Sequence, residues 1–203
     1  MMQRFGLCSD KGQQTTSMYK PPPCIVSVGK TTLVQKLVNN LKDAGVPCNG
    51  FYTQEVRQGG KRIGFDVVTL DGKNGILSRV KTQDGNRREC RVGQYVVDVP
   101  AFESLVLPLL RTQASTPQVL VLDEIGKMEM FSQGFVTSVQ RILAQPDSTV
   151  LTTIPIPKGK PIPLVEQIRS NKNVFLVNLS KSNRDDESLK EEIVKTLMSS
   201  LGK

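Results

Sequence analysis

The sequence contains no histidine. This absence excludes histidine acid–base catalysis, Ser/His/Asp triads and His-ligated zinc. No apolar run approaches the roughly 18 residues of a membrane span, so we expect no membrane partner. The four cysteines, Cys8, Cys24, Cys48 and Cys90, form no C-x-x-C pair. No apolar signal segment opens the chain, so we expect free thiols in a reducing, cytoplasmic compartment.

Acidic residues are fewer than basic residues. Among 203 residues, 27 are Lys or Arg and 19 are Asp or Glu, which gives a net charge of +8. Such a balance favours anionic partners: nucleotides, nucleic acid or anionic membranes. Because the basic residues are dispersed, nucleic acid is a possible partner without further support. The length suits one domain, which we expect to be a monomer.

The first half of the chain is predicted to contain a disordered N-terminal segment, a helix and a set of strands. Residues 1–23 lack a clear period and end in three prolines, so we predict a disordered lead followed by one domain over 24–203. A helix is predicted over 30–44, with its apolar residues on one face and Gly45 as a stop. Strand-like runs at 50–56 and 63–70 flank a Gly-Gly turn and predict a hairpin. Shorter strands at 76–80 and 94–99 and a helix over 101–112 follow.

The second half alternates strands with helices. The apolar run at 118–123 is typical of a strand in a parallel sheet that is covered on both faces. The remaining predicted elements are a helix over 132–145, strands at 148–154 and 173–178, a helix at 164–171, and a final helix with Leu189, Ile193, Leu197 and Leu201 on one face. This alternation predicts an α/β fold with a mostly parallel central sheet and a β-hairpin insertion.

The segment "GKTT" opens the first predicted helix. Free N–H groups and the positive end of the dipole make a helix start a binding site for phosphate. In a phosphate-binding loop, Lys30 reaches the outer phosphates and the Thr31 hydroxyl binds Mg²⁺. The tripeptide "GKT" by itself also fits an ordinary helix start.

A second motif, "VLVLDEIG", places two carboxylates at the end of a buried strand. Ligands bind at this edge of open α/β sheets. We expect Asp123 to hold the water shell of Mg²⁺ and Glu124 to orient or deprotonate the attacking water. The two motifs in this order predict a nucleotide site, with Lys30 and Glu124 as catalytic residues and Thr31 and Asp123 as metal ligands.

Basic residues near other predicted turns are weaker candidates. Lys158 and Lys160 follow the strand at 148–154, and "NR" (183–184) follows the strand at 173–178, so a parallel sheet would bring them to the rim of Asp123. They also fit plain surface charge. A lid at the hairpin tip, with Arg57, Lys61 and Arg62, would add positive charge near a transition state, although a solvated turn explains these residues as well.

The chain resembles the small cancer-related nucleoside triphosphatases and their thermophile relatives. The resemblance lies in "GFYTQEVRQGGKRIGFDVVTL", "RECRVGQYVVDV", "VLVLDEIGKMEMFS" and "TIPIPKGKPIPLVEQIR". It implies a P-loop NTPase three-layer sandwich and slow, Mg²⁺-dependent hydrolysis of ATP, GTP, CTP and UTP to the diphosphate. The nucleotide-binding residues that it implies are Val28, Gly29, Lys30, Thr31, Thr32, Val119, Leu120, Val121, Leu122, Asp123, Glu124, Ile125 and Gly126.

The residues before Val28 depart from this family. The stretch "CIVSVGKT" has Cys24 where the pattern G-x-x-x-x-G-K-[ST] has glycine. If Cys24 to Val28 pair in the sheet, no slack remains for a loop around the phosphates; if they form the loop, the first strand is missing. We therefore expect this strand to be missing or degraded and hydrolysis to be impaired. An alternative first exon or a misjoined gene model would explain the change at Val28.

Two other functions remain open. One is a nucleotide kinase on the same fold, whose ATP turnover would rise when an acceptor is added. The other is a nucleotide- or nucleic-acid-binding protein without catalysis, which would bind its ligand without turnover.

Overall fold

The computed structural model describes residues 23–27, 30–80, 89–111, 116–157 and 159–202. The strands are β1 (Pro23–Ser27), β2 (Cys48–Gln58), β3 (Lys61–Thr69), β4 (Asn74–Val80), β5 (Arg91–Val92), β6 (Tyr95–Val97), β7 (Val119–Asp123), β8 (Thr149–Ile154) and β9 (Phe175–Leu179). The helices are α1 (Lys30–Asp43), α2 (Val99–Arg111), α3 (Gln133–Leu143), α4 (Pro163–Ser170) and α5 (Glu187–Ser200), with a 3₁₀ turn at Glu129–Phe131. Among the described residues, no helix is long and apolar enough to cross a membrane.

The strands form one sheet in the order β5-β6-β4-β3-β2-β7-β8-β1-β9. Pairing is parallel from β2 through β7, β8 and β1 to β9. It is antiparallel from β2 through β3, β4 and β6 to β5. The α/β class, the mostly parallel core and the hairpin insertion are therefore confirmed.

Two cores lie on opposite faces of the sheet, as the predicted three-layer sandwich requires. Apolar side chains of α1 and α5 pack on one face, against Val119 and Val121 of β7. Those of α2, α3 and α4 pack on the other, against Leu122 of β7 and Val150 of β8. Successive side chains of a strand point to opposite faces, so the unbroken apolar run of β7 serves both cores.

The hairpin between β2 and β3 turns at Gly59 and Gly60. Both glycines have positive φ angles, 56° and 76°. Two-residue turns of this kind need left-handed backbone at both positions, which glycine adopts without a steric penalty. The predicted Gly-Gly turn is therefore confirmed, and it places Arg57 opposite Arg62.

The first strand is present and lies inside the sheet. Cys24 is in parallel register with Thr152 of β8 on one side and with Leu176 of β9 on the other. Of the two predicted arrangements, the structure has the one in which these residues pair, so the expectation of a missing strand is corrected to a short strand of five residues. Pro23 is its first residue, where a missing N–H is tolerated. The rest of the predicted disordered lead, residues 1–22, lies outside the described residues.

Candidate nucleotide site

The two sequence motifs meet at one edge of the parallel sheet. Thr31, in the first turn of α1, and Glu124, directly after β7, line the same cavity of about 510 Å³. The carboxyl ends of parallel strands share an edge, and ligands of open α/β sheets bind there. Val28 and Gly29 lie outside the described residues, and Lys30 is the first residue of α1.

The loop after β7 is fastened to the neighbouring strand β8. The Thr153 hydroxyl donates a hydrogen bond to Oδ1 of Asp123, and the backbone N–H of Ile125 donates to the Thr153 carbonyl at 2.8 Å. Asp123 is buried, while Glu124 is partly exposed, and the peptide bond between them is cis. These bonds to β8 fix the direction in which Glu124 leaves the sheet.

The strand before this loop holds the carboxylates in place. The side chains of Val119, Val121 and Leu122 are fully buried in the two cores, and Leu120 packs against one of them. None of these four residues lines the cavity. These four residues fix the position of the strand end that bears Asp123 and Glu124. Direct contact between them and a nucleotide stays a prediction.

Glu129 is an acidic residue of the cavity that the motif search missed. It lies on the 3₁₀ turn, is only 3% exposed and lines the cavity together with Glu124. Its Oε2 accepts a hydrogen bond of 3.0 Å from the backbone N–H of Gly126. A Cβ atom at Gly126 would lie 2.5 Å from Oε1 of Glu124 and 3.1 Å from Oε2 of Glu129, so both carboxyl groups lie against this glycine.

Burial and neighbouring charge alter the protonation of Glu129. Loss of solvent raises its pKa to about 8, and the charges of Glu124 and Asp123 act in the same direction. The carboxyl group is therefore mainly protonated at neutral pH, because ionisation would place a third negative charge in a buried acidic cluster. The available sequence signal for Glu129 was its position five residues after Glu124, within "VLVLDEIGKMEMFS".

The weaker basic candidates divide between two sites. Lys160 lines the same cavity as Glu124, and Lys158 lies outside the described residues. Arg184 and Asp185 line a separate hollow of about 210 Å³ with Thr32 and Lys36 of α1. Asn183 closes the turn after β9: its Oδ1 accepts from the Ser180 N–H at 2.7 Å, and its side-chain amide donates to the Asn178 carbonyl.

The hairpin arginines are held by Glu55. Arg57 donates two hydrogen bonds to Oε2 of Glu55, and Arg62 donates to Oε1. Arg62 also donates to the Tyr95 hydroxyl at 3.0 Å, and its guanidinium lies 5.1 Å from the centre of the Phe65 ring. The role of these arginines as a lid stays a prediction; Glu55 itself lines the cavity.

The donor set at this edge fits Mg²⁺. In the described parts of the chain, no group of three or more His, Cys, Asp or Glu side chains could hold a metal without other ligands. Mg²⁺ in nucleotide sites needs no such group, because substrate phosphates and waters supply most of its oxygens and the protein adds one or two. The Thr31 hydroxyl and the Asp123 carboxylate are oxygens of the required kind.

Fold and site together define a P-loop nucleotide-binding protein of the α/β class. Comparison with known families gives the same result: the family described as NTPase matches residues 25–194. The chain belongs to this NTPase family, whose members are hydrolases.

Named relatives occur in animals and in thermophilic bacteria. The human protein named cancer-related nucleoside-triphosphatase is 57% identical over 163 residues, covering 78% of this chain and 86% of its own. A nucleoside-triphosphatase from Thermotoga maritima is 39% identical over 170 residues, covering 84% and 90%. The solution structure of a human cancer-related nucleoside triphosphatase is 51% identical with a TM-score of 0.75, covering 88% of this chain and 98% of that one. The crystal structure of a relative from Aquifex aeolicus is 36% identical with a TM-score of 0.73, covering 87% and 98%.

Proposed function

We propose that the protein hydrolyses nucleoside triphosphates, among them ATP, GTP, CTP and UTP, to the diphosphate and phosphate with the help of Mg²⁺. The observation that carries this proposal is the position of Thr31 and Glu124 on one cavity at the carboxyl edge of the sheet. A helix start that binds phosphate and a carboxylate that reaches water are the two parts that such a reaction needs.

Each residue of the site has its own role in the proposed reaction. Lys30 binds the outer phosphates, where negative charge accumulates as the γ-phosphoryl group leaves. Thr31 and Asp123 would hold Mg²⁺, which when bound neutralises phosphate charge. Glu124 orients the attacking water and accepts its proton, and Gly126 leaves room for that carboxylate beside Glu129.

We propose further that hydrolysis by this chain is slow. Only residues 28 and 29 separate the end of β1 from the start of α1. A phosphate-binding loop surrounds the phosphates with backbone N–H groups, and so short a connection supplies few of them. We also propose that the protein is a monomer in a reducing, cytoplasmic compartment. The free thiols of Cys48 and Cys90 are consistent with reducing conditions.

The test is the variant Glu124→Gln, assayed for phosphate release and for nucleotide binding. The amide fills the same space but accepts no proton from water, so we expect turnover to fall by about 10²–10⁴-fold with binding nearly unchanged. Glu192→Gln, on the exposed face of α5, is the matched control. An unchanged kcat in Glu124→Gln would remove this residue from the reaction, and binding without turnover in the parent protein would select a non-catalytic function.

A further inference from the structure

If Glu124 acts on the nucleophile as proposed, the cavity that it lines lies on the nucleophile's side of the γ-phosphate. In the sheet, β7 and β9 lie on opposite sides of β1, which leads into α1. Glu124 follows β7, and the hollow with Arg184 follows β9. Since Lys30 and Thr31 act on the outer phosphates and Glu124 on the nucleophile, the nucleoside extends away from Glu124, towards the hollow of Arg184.

The cavity beside Glu124 is far larger than a water molecule requires. Water takes up about 30 Å³ of liquid volume. The cavity has a volume of about 510 Å³, within the range of roughly 300–1,000 Å³ that is typical of small-molecule sites. Hydrolysis alone does not account for a pocket of this size.

The walls of the cavity are largely apolar. Its apolar side chains come from the antiparallel strands, from the loop before α4 and from α4 itself; they include Phe65, Leu77, Val92, Ile156, Ile162 and Val165. Such walls fit an aromatic ring or an aliphatic body.

The lining carries charged side chains of both signs. Glu55 is bound by Arg57 and Arg62, and Glu166 lies 3.6 Å from the guanidinium of Arg169. The other carboxyl groups, Glu124 and Glu129, share the cavity with Lys127 and Lys160. No arginine occurs among the described lining residues, although Arg is the side chain best suited to clamp a phosphate group. This argues against bidentate recognition of a phosphate group by a lining residue.

We infer that this cavity is the acceptor site for a small alcohol with an apolar body, to which the protein transfers the γ-phosphoryl group. This inference rests on the proposed function, because it uses the same nucleotide site. The acceptor oxygen forms a bond to the γ-phosphorus, the bond from that phosphorus to the bridging oxygen breaks, and the nucleoside diphosphate leaves. The hydroxyl proton passes to Glu124, and water takes the place of the alcohol when the cavity holds no acceptor.

The experiment uses ATP radiolabelled at its γ-phosphate and measures which product carries the label. The full-length protein is incubated with this ATP, Mg²⁺ and the deproteinised small-molecule fraction of a cell extract, and organic phosphate is separated from inorganic phosphate. We expect label in an organic phosphate ester. In Ile156→Trp, which places a larger side chain on the cavity lining, the ratio of ester to inorganic phosphate should fall at least about tenfold. Ile156 is 44% exposed, so the larger side chain is compatible with folding.

Ile76→Trp is the matched control, because Ile76 is 40% exposed on β4 and does not line the cavity. It should leave the product ratio unchanged. Inorganic phosphate as the sole labelled product would overturn the acceptor site and leave hydrolysis standing. An increase in the KM for ATP in Ile156→Trp would also overturn it, since the nucleoside would then occupy this cavity. Release of neither product would refute the proposed function, and the acceptor site with it.

Discussion

The backbone N–H of Gly126 donates a hydrogen bond of 3.0 Å to Oε2 of Glu129. This bond ties the loop after β7, which contains Glu124, to the 3₁₀ turn. Because Oε1 of Glu124 and Oε2 of Glu129 both lie close to where a Cβ atom would be, the position accepts no larger residue without displacement of a carboxyl group.

Gly126→Ala should lower turnover. The new Cβ would lie 2.5 Å from Oε1 of Glu124, so that carboxylate has to move. A displacement of about 1 Å at a reacting group can lower the rate about 10²-fold, and kcat for phosphate release measures it. Gly134→Ala in α3 is the control, because its Cβ meets the flexible end of Leu107 at 3.1 Å. A parent-like kcat in Gly126→Ala would show that Glu124 tolerates the shift.

Glu129 should make the free energy of unfolding depend on pH. Below about pH 4.5 the carboxyl group is protonated in both the folded and the unfolded state. Between pH 4.5 and the folded pKa of about 8, the unfolded chain releases this proton while the folded protein keeps it, so stability falls as pH rises. Each unit of difference in pKa corresponds to roughly 1.4 kcal/mol.

The variant Glu129→Gln removes this dependence, because an amide does not titrate. The difference in stability between the variant and the parent should therefore change in favour of the variant as pH rises from 5 to 8. Urea unfolding at both pH values measures this difference. Glu192→Gln should show no such change, since its side chain is exposed. Parallel stability curves for Glu129→Gln and the parent would mean that Glu129 ionises normally in the folded protein.

Lys30→Ala should weaken both nucleotide binding and turnover. Lys30 starts α1, beside Thr31 at the cavity. Its charge contributes most where the phosphoryl oxygens become negative, so kcat should fall more than affinity. Equilibrium binding of ATP and phosphate release measure the two effects. If Lys30→Ala behaves like the parent in both assays, the start of α1 is an ordinary helix terminus.

Replacing the residues before Val28 with an apolar strand and a glycine-rich loop should raise the rate. The present chain has two residues between β1 and α1, and a longer glycine-rich connection adds N–H donors for the phosphates. One preorganised donor is worth about 10²–10³-fold at comparable anionic transition states. Phosphate release compares the two proteins, and melting temperatures with and without Mg-ATP separate loop effects from changes in folding. Equal rates would show that the short connection binds phosphate well.

Periodicity predicted most of the fold because long elements have clear patterns. The five apolar positions of α1 from Leu33 to Leu41 and the run of β7 required no tertiary information. The two-residue strand β5 was missed because it is too short for a pattern and forms only by pairing with β6. In the site, Glu124 follows a strand and was found by position. Glu129 was missed because its burial arises from the 3₁₀ turn, which folds it back onto Gly126.

The far end of that turn is fixed as firmly as the near end. Directly after it, the Ser132 hydroxyl accepts a hydrogen bond of 2.9 Å from the Phe135 N–H and donates one of 2.6 Å to Oε1 of Glu103 on α2. The turn therefore connects the loop of Glu124 to α2 and α3. We expect a nucleotide that shifts Glu124 to alter these hydrogen bonds, so that the rate of amide hydrogen exchange at Phe135 reports nucleotide binding at a distance.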